Sequence, residues 1–272
     1  MKINIHNHTT GSDGKLTPEE LIKYAIKKKF DIIGITDHYP LPKELHEENF
    51  HPKGYAEEIK KLKQKYSNKI KVLFGAEFDW LKSHQKYTKE KIKQENYDYI
   101  LGSVHFVPYK KTYLCVDYSK EEWINRAKKV GGVKKFIKKY YKQIRLLAKS
   151  HLVDCIAHFD LIKLYNENSD LFSENEKWYK KEIMKTLRTI AKEKACIELN
   201  NSGWRRKCNE QYPSKWILKE AKKLNIPITL GTDSHVEEAV DYKIEESINL
   251  LKKVGYKEII YFEEREMFKI KI

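Results

Sequence analysis

Residues 31–38 read Asp31-Ile32-Ile33-Gly34-Ile35-Thr36-Asp37-His38: an apolar, β-branched run that stops at an acid and a histidine. A continuous apolar run of this length suits a strand buried on both faces of a parallel sheet. Upstream, Thr17-Pro18-Glu19-Glu20-Leu21-Ile22-Lys23-Tyr24-Ala25 has the makings of a helix start, with an N-cap threonine, proline at the first helical position and early acids. Another apolar run, residues 2–5, precedes it, so the first 38 residues form a strand–helix–strand unit. The alternation continues. Apolar runs recur at residues 70–74, 97–102, 153–157, 195–199, 227–230 and 258–262. Helical periodicity falls at 55–66, 120–150 with a break at Gly131-Gly132, 173–194, 214–224 and 241–254. Strands alternating with helices predict βα units around a parallel sheet. Seven or eight strands without a Gly/Ser/Pro-rich linker favour one closed or nearly closed α/β barrel, a single domain over residues 1–272.

Composition narrows the classes. The chain is 40% hydrophobic and 34% charged, an ordinary globular balance. No apolar stretch approaches the roughly 18 residues that a membrane helix needs. The N-terminus enters a strand at once and lacks an apolar leader, which predicts a cytoplasmic address. Cys115, Cys155, Cys196 and Cys208 show no C-x-x-C spacing, so free thiols are expected. A formal charge of +15 attracts phosphorylated partners. The lysines, however, run along helix faces such as Lys60-Lys61-Leu62-Lys63 and Lys138-Lys139-Tyr140-Tyr141-Lys142, which reads as solvated surface. The expected partner is a small phosphate ester, with neither membrane nor nucleic acid bound. Self-association into a homo-oligomer is left open.

The chemistry-bearing residues sit at the strand ends. His6 and His8 end the first run, Asp37 and His38 follow the second, Glu77 the third and His105 the fourth. His158 follows the fifth, Asn200 to Ser202 the sixth, and Asp233 and His235 the seventh; Asp13 lies just beyond the first. A parallel barrel collects these ends at one mouth. Residues two apart on a strand share a face, so His6 and His8 can turn to one cation. Imidazoles with carboxylates suit zinc, manganese or iron, and so many ligands exceed one ion's need. Two or three divalent ions are expected.

His6-Asn7-His8-Thr9, Ile35-Thr36-Asp37-His38, Gly75-Ala76-Glu77, Gly102-Ser103-Val104-His105, Ala157-His158 and Gly231-Thr232-Asp233-Ser234-His235 resemble, in order, the metal motifs of the PHP (polymerase and histidinol phosphatase) superfamily. The resemblance implies a distorted seven-stranded (β/α)7 barrel with a trinuclear site. It assigns His6, His8, Glu77 and Asp233 to one ion, Glu77 with His105 and His158 to a second, and Asp13, His38 and His235 to a third. Some members carry histidine where this chain has Asp13. The segments from Asp37 to Pro42, Gly102 to Val107, His158 to Lys163 and Glu198 to Arg205 resemble the histidinol-phosphate phosphatases. Lys163 stands where that subgroup commonly has arginine.

Phosphate-ester hydrolysis agrees with this constellation. A water shared by two cations loses a proton near neutrality and becomes the nucleophile, while the cations neutralise the phosphoryl oxygens. Arg205 and Arg206 are candidates to grip a phosphoryl oxygen, with Lys163, Asn201, Ser202 and His51 as further phosphate ligands. Asp160 and His235 are candidate acids for the leaving group, and Arg205 joins them as a catalytic candidate. Residues 39–55, with Leu41, Glu44, His46, Glu47, Phe50 and His51, read as a lid whose acids meet a substrate ammonium and whose aromatics stack on its imidazole. Alternatives are a PHP-type phosphoesterase acting on another phosphorylated metabolite, nucleotide or nucleic acid, and a basic binding protein with structural zinc.

Overall fold

The computed structural model of the chain describes residues 1–43, 45 and 50–272. In chain order, β1 (Ile3–Asn4), β2 (Ile32–Ile35), β3 (Lys71–Asp79) and β4 (Tyr99–Ser103) are followed by an antiparallel hairpin, β5 (Phe106–Tyr109) with β6 (Thr112–Cys115). Then come β7 (Cys155–Ile156), β8 (Cys196–Asn200) and β9 (Ile228–Gly231). The hairpin apart, these strands form one sheet in the order β1-β2-β3-β4-β7-β8-β9, each neighbour parallel to the next. The sheet closes on itself where Ile5 N donates to Leu230 O at 3.1 Å and His8 N to Ser234 O at 2.8 Å. Outside it run α1 (Pro18–Lys27), α2 (Tyr55–Tyr66), α3 (Gln85–Ile92), α4 (Lys120–Lys129), α5 (Val133–Ser150), α6 (Lys177–Lys192), α7 (Lys215–Lys223) and α8 (Ile244–Val254). This is the distorted (β/α)7 barrel that the sequence leads one to expect.

Local chemistry explains the elements. Thr17 and Glu20 close a capping box at α1: Thr17 N donates to Glu20 Oε2 at 2.8 Å, and Glu20 N to Thr17 Oγ1 at 3.3 Å. α4 and α5 part at Gly131 and Gly132, whose φ values of 92° and 107° only glycine adopts freely. Inside the barrel, the Tyr99 ring crosses the lumen and its hydroxyl donates to Ile5 O. Gly34 makes room for it, because a Cβ there would overlap Tyr99 Oη and press on Ile5.

The eighth apolar run does not join the barrel. It forms β10 (Glu258–Glu263), which pairs antiparallel with β11 (Glu266–Lys271). Arg265 in the turn pairs with Asp154 at 2.6 Å, and Lys71 with Glu263 at 2.6 Å, so this hairpin covers the end of the barrel where β3 and β7 begin. Ile259, Ile260 and Phe262 are buried beneath it, which is why the run is apolar. No helix among the described residues is long and apolar enough to cross a membrane.

Candidate metal centre

The barrel mouth gathers the side chains that end the strands. β3 presents Glu77, and His38, on the continuation of β2, pairs with it across a parallel bridge. Glu77 Oε1 lies 2.9 Å from His158 Nε2 and 3.9 Å from His105 Nε2. Glu77 Oε2 lies 3.0 Å from His38 Nδ1, 3.3 Å from His8 Nε2 and 3.4 Å from His6 Nε2. Asp233 Oδ1 is 3.1 Å from His8 Nε2 and 3.6 Å from His6 Nε2. Further out, His235 Nε2 stands 3.2 Å from Asp13 Oδ2. His6, His8, Glu77 and His158 are almost wholly buried, whereas the Asp13 and His235 side chains are 45% and 30% exposed, so the cluster runs from the lumen to solvent. His158 and Asp233 hold left-handed backbone, φ 24° and 51°, a conformation that costs a non-glycine residue about 1–3 kcal/mol and gathers at functional sites.

The donor set fits divalent cations. Three groups of ligand atoms lie within 4.8 Å of one another: His8, Asp13, His38 and His235; His6, His8 and Glu77; Glu77, His105 and His158. Glu77 Oε2 is buried with three imidazole nitrogens around it, yet accepts no hydrogen bond. His6 Nε2 and His8 Nε2 face each other at 3.2 Å. Two lone pairs turned together beside a carboxylate are a geometry for a cation rather than for hydrogen bonds. The charges reinforce one another. Burial alone pushes Glu77 up, but the imidazoles, His38 and His6 first, hold it well below the usual carboxylate range. Burial pushes His6 down, while Glu198, Glu77 and Asp233 outweigh it and raise His6 well above the usual imidazole range.

A second layer orients the first, and two of its members, Glu198 and Asp79, escaped the sequence reading as site residues. Glu198 Oε1 lies 2.8 Å from His6 Nδ1, and Oε2 accepts from His158 N and Asn200 Nδ2, both at 2.9 Å. A carboxylate only accepts, so His6 carries its proton on Nδ1 and turns the Nε2 lone pair to the centre. Asp79 does the same for His105 Nδ1 at 2.8 Å. Asp37 is spent on the loop behind His8, accepting from Thr9 N at 2.6 Å and Ser12 Oγ at 2.7 Å. The signal was available for both. Glu198 is an acid set between Ile197 and Leu199 in a wholly buried strand, and Asp79 shares a face with Glu77.

A family model described as PHP domain matches residues 4–202. The chain belongs to the PHP domain family. The histidinol-phosphatase of Bacillus subtilis is 26% identical to it over 263 residues, covering 88% of this chain and 96% of that protein. The histidinol-phosphatase of Lactococcus lactis is 23% identical over 271 residues, covering 96% and 94%. The crystal structure of the Lactococcus lactis histidinol phosphate phosphatase, complexed with zinc, L-histidinol and phosphate, superposes with a TM-score of 0.78 at 21% identity over 98% of each chain. At that identity the superposition speaks for the shared barrel.

Beside the metal cluster this PHP domain opens a cleft of about 290 Å³, lined among others by Tyr39, Leu41, Phe50, Phe106, Asp117 and Arg206. A larger cleft of about 920 Å³ lies at the β10–β11 hairpin, away from every ligand of the cluster. Several expected substrate residues do not reach the smaller cleft. Lys163 is buried, 2.9 Å from Glu210 Oε2 and 3.0 Å from Asp160 Oδ2, so its charge is met inside the protein rather than by phosphate. Asp160 is equally buried and accepts from Ser214 N at 3.0 Å; burial pushes its carboxyl up to about 6, and it is not among the residues that line the cleft. Asn201 Nδ2 donates to Tyr242 O at 2.9 Å and Ser202 N to Asn200 Oδ1 at 2.8 Å; both residues are buried and neither lines the cleft. Arg205 Nη2 donates to Thr232 O and Asp233 O, each at 2.9 Å, and so braces the Asp233 turn; it is not among the residues that line the cleft. His51 packs between Tyr39 and Tyr55 at 5.1 and 5.2 Å, and burial lowers its pKa, leaving a neutral ring outside the cleft. Arg206 and His235 line the cleft, and from the expected lid Phe50 faces His38 at 6.2 Å. Glu44, His46 and Glu47 lie outside the described residues.

Proposed function

We propose that this PHP domain is a metal-dependent phosphomonoesterase that hydrolyses L-histidinol phosphate to L-histidinol and phosphate. The observation that carries the reading is Glu77, a buried carboxylate with both oxygens turned among five imidazoles at the mouth of the barrel. His6, His8, Glu77 and Asp233 would hold one ion, Glu77, His105 and His158 a second, and Asp13, His38 and His235 a third. Two to three ions of zinc, manganese or iron suit these nitrogen and oxygen donors. When bound, they supply Lewis acidity that lowers the pKa of water and neutralises phosphoryl charge.

The protein's own groups do the rest. Glu198 and Asp79 hold His6 and His105 in the tautomer that points Nε2 inward. Arg206 offers a guanidinium on the open side of the cleft, where it can pair with phosphoryl oxygens bidentately. Tyr39, Leu41, Phe50 and Phe106 form an apolar wall for the imidazole of the substrate, and the Asp117 carboxylate can receive its ammonium. Support comes also from relatives of nearly the same length that are named histidinol-phosphatases. A small-molecule biosynthetic reaction agrees with the cytoplasmic address expected from the sequence.

The test is phosphate release by the manganese- or zinc-loaded protein from L-histidinol phosphate, compared with a phosphodiester, bis(p-nitrophenyl) phosphate. Turnover of the monoester with little on the diester is expected. Protein that keeps its metals and leaves L-histidinol phosphate intact, or that prefers the diester, contradicts the assignment.

A further inference from the structure

The charge of this chain is unevenly placed. α5 and α6 together hold thirteen lysines and arginines against one acid, Glu182. These two helices therefore carry +12 of the formal +15 of the whole chain. Glu182 is buried and pairs with Arg145 at 2.6 Å. The other twelve cations are exposed or half-buried, and none pairs with a carboxylate among the described residues. Glu176 and Glu193, at either end of α6, are already committed to Trp178 and to His151. The helices lie side by side and point the same way: Lys134 sits over Trp178 at 5.6 Å, Tyr141 meets Tyr179 at 3.0 Å, and Arg145 reaches Thr186 at 2.8 Å. The result is one cationic face on the flank of the barrel. It is about 27 Å long, from 18 residues at 1.5 Å each.

We propose that this face docks the phosphate backbone of a duplex nucleic acid, without regard to base sequence. Three observations select that partner. Eleven of the twelve free cations are lysines, with Arg188 the exception; a lysine is a point charge without the planar fork that reads guanine. None of the exposed large hydrophobic residues is on α5 or α6, so nothing is available to insert into a bilayer. Trp178 lies under Lys134 and is not free to stack on an unpaired base. What remains is a rigid row of charges, and a duplex of that length offers about 16 phosphates. The sequence reading took the lysine runs for solvated surface; what the fold adds is that the lysines of α5 and α6 lie side by side with almost no acid among them.

The test uses the full-length, metal-loaded protein and a fluorescent 24-base-pair duplex of arbitrary sequence, followed by anisotropy. With about six to eight phosphates neutralised, log affinity should fall against log salt with a slope of about −5 to −7. Replacing Lys135, Lys138, Lys142, Lys181 and Lys185 by glutamine keeps helix propensity. It should leave metal-dependent phosphate release unchanged, weaken duplex binding at least about tenfold and flatten the slope by about 3 to 5. Removing five lysines elsewhere (Lys60, Lys61, Lys86, Lys89 and Lys93, each to glutamine) should change binding by less than about twofold, as those charges lie outside the face. Three results overturn the proposal: no binding at 50 mM salt, equal losses in the two variants, or tighter binding to phosphatidylserine vesicles or to a single strand than to the duplex.

Discussion

Glu198 shows how much of the metal centre depends on side chains that touch no ion. It accepts from His6 at 2.8 Å and from the backbone N–H of His158 at 2.9 Å, so one carboxylate sets two ligands. Glu198→Gln should weaken zinc affinity about 10- to 100-fold, read by chelator competition, while the circular-dichroism spectrum is kept; unchanged affinity would contradict the role. Lys163 makes the opposite case. Lys163→Met leaves Asp160, with Glu210 and Glu174 nearby, without its counter-charge. Loss of a buried partner should cost about 3–5 kcal/mol in urea unfolding with the KM for substrate little changed; a raised KM at constant stability would return Lys163 to phosphate binding. The histidines were legible in the sequence because they stand at the ends of apolar runs that read as strands. Glu198 and Asp79 stood out by their places in their strands, but their pairing with His6 and His105, 192 and 26 positions away, was not readable, nor was the closure of the Lys163 cluster by Glu210, 47 positions on.

Among the elements, β9 and β8 meet the first strand at a tight junction. A Cβ on Gly231 would overlap Glu198 Oε1 and stand 2.5 Å from His6 Cβ. Gly231→Ala should therefore displace both side chains and lower bound metal with the helices intact, as measured by metal analysis beside circular dichroism; full metal content would show that the junction yields freely. The strand–helix alternation was readable because strands buried on both faces stay apolar and the helices carry caps such as Thr17 with Glu20. The β5–β6 hairpin was not. Its turn is Lys110-Lys111, with Lys110 at φ 53°, in place of the Asn-Gly pair that signals such turns. β3 also outran its apolar run: it passes from pairing with β2 to pairing with β4 at Gly75, which carries it through Glu77 to Asp79.

For the whole molecule, protons and cations compete for one cluster. Burial lowers His6, His8, His105 and His235, but neighbouring carboxylates outweigh it and raise all four. A raised imidazole stabilises the metal-free fold below its unfolded pKa of about 6.5 and loses that contribution as pH climbs through the folded value. Metal binding displaces those protons and so strengthens over the same range. Calorimetry should find the melting temperature of the metal-free protein falling upward of about pH 6.5, with a widening gap to the metal-loaded form; a constant gap would contradict the linkage. The most direct test of the account is the metal content of the loaded protein and of Glu77→Gln, determined by mass spectrometry of the digested protein. Two to three ions per chain, falling to one or none in the variant with the fold retained, is the predicted result. An unchanged count would show that Glu77 does not join the ions and would remove the basis for the catalytic assignment.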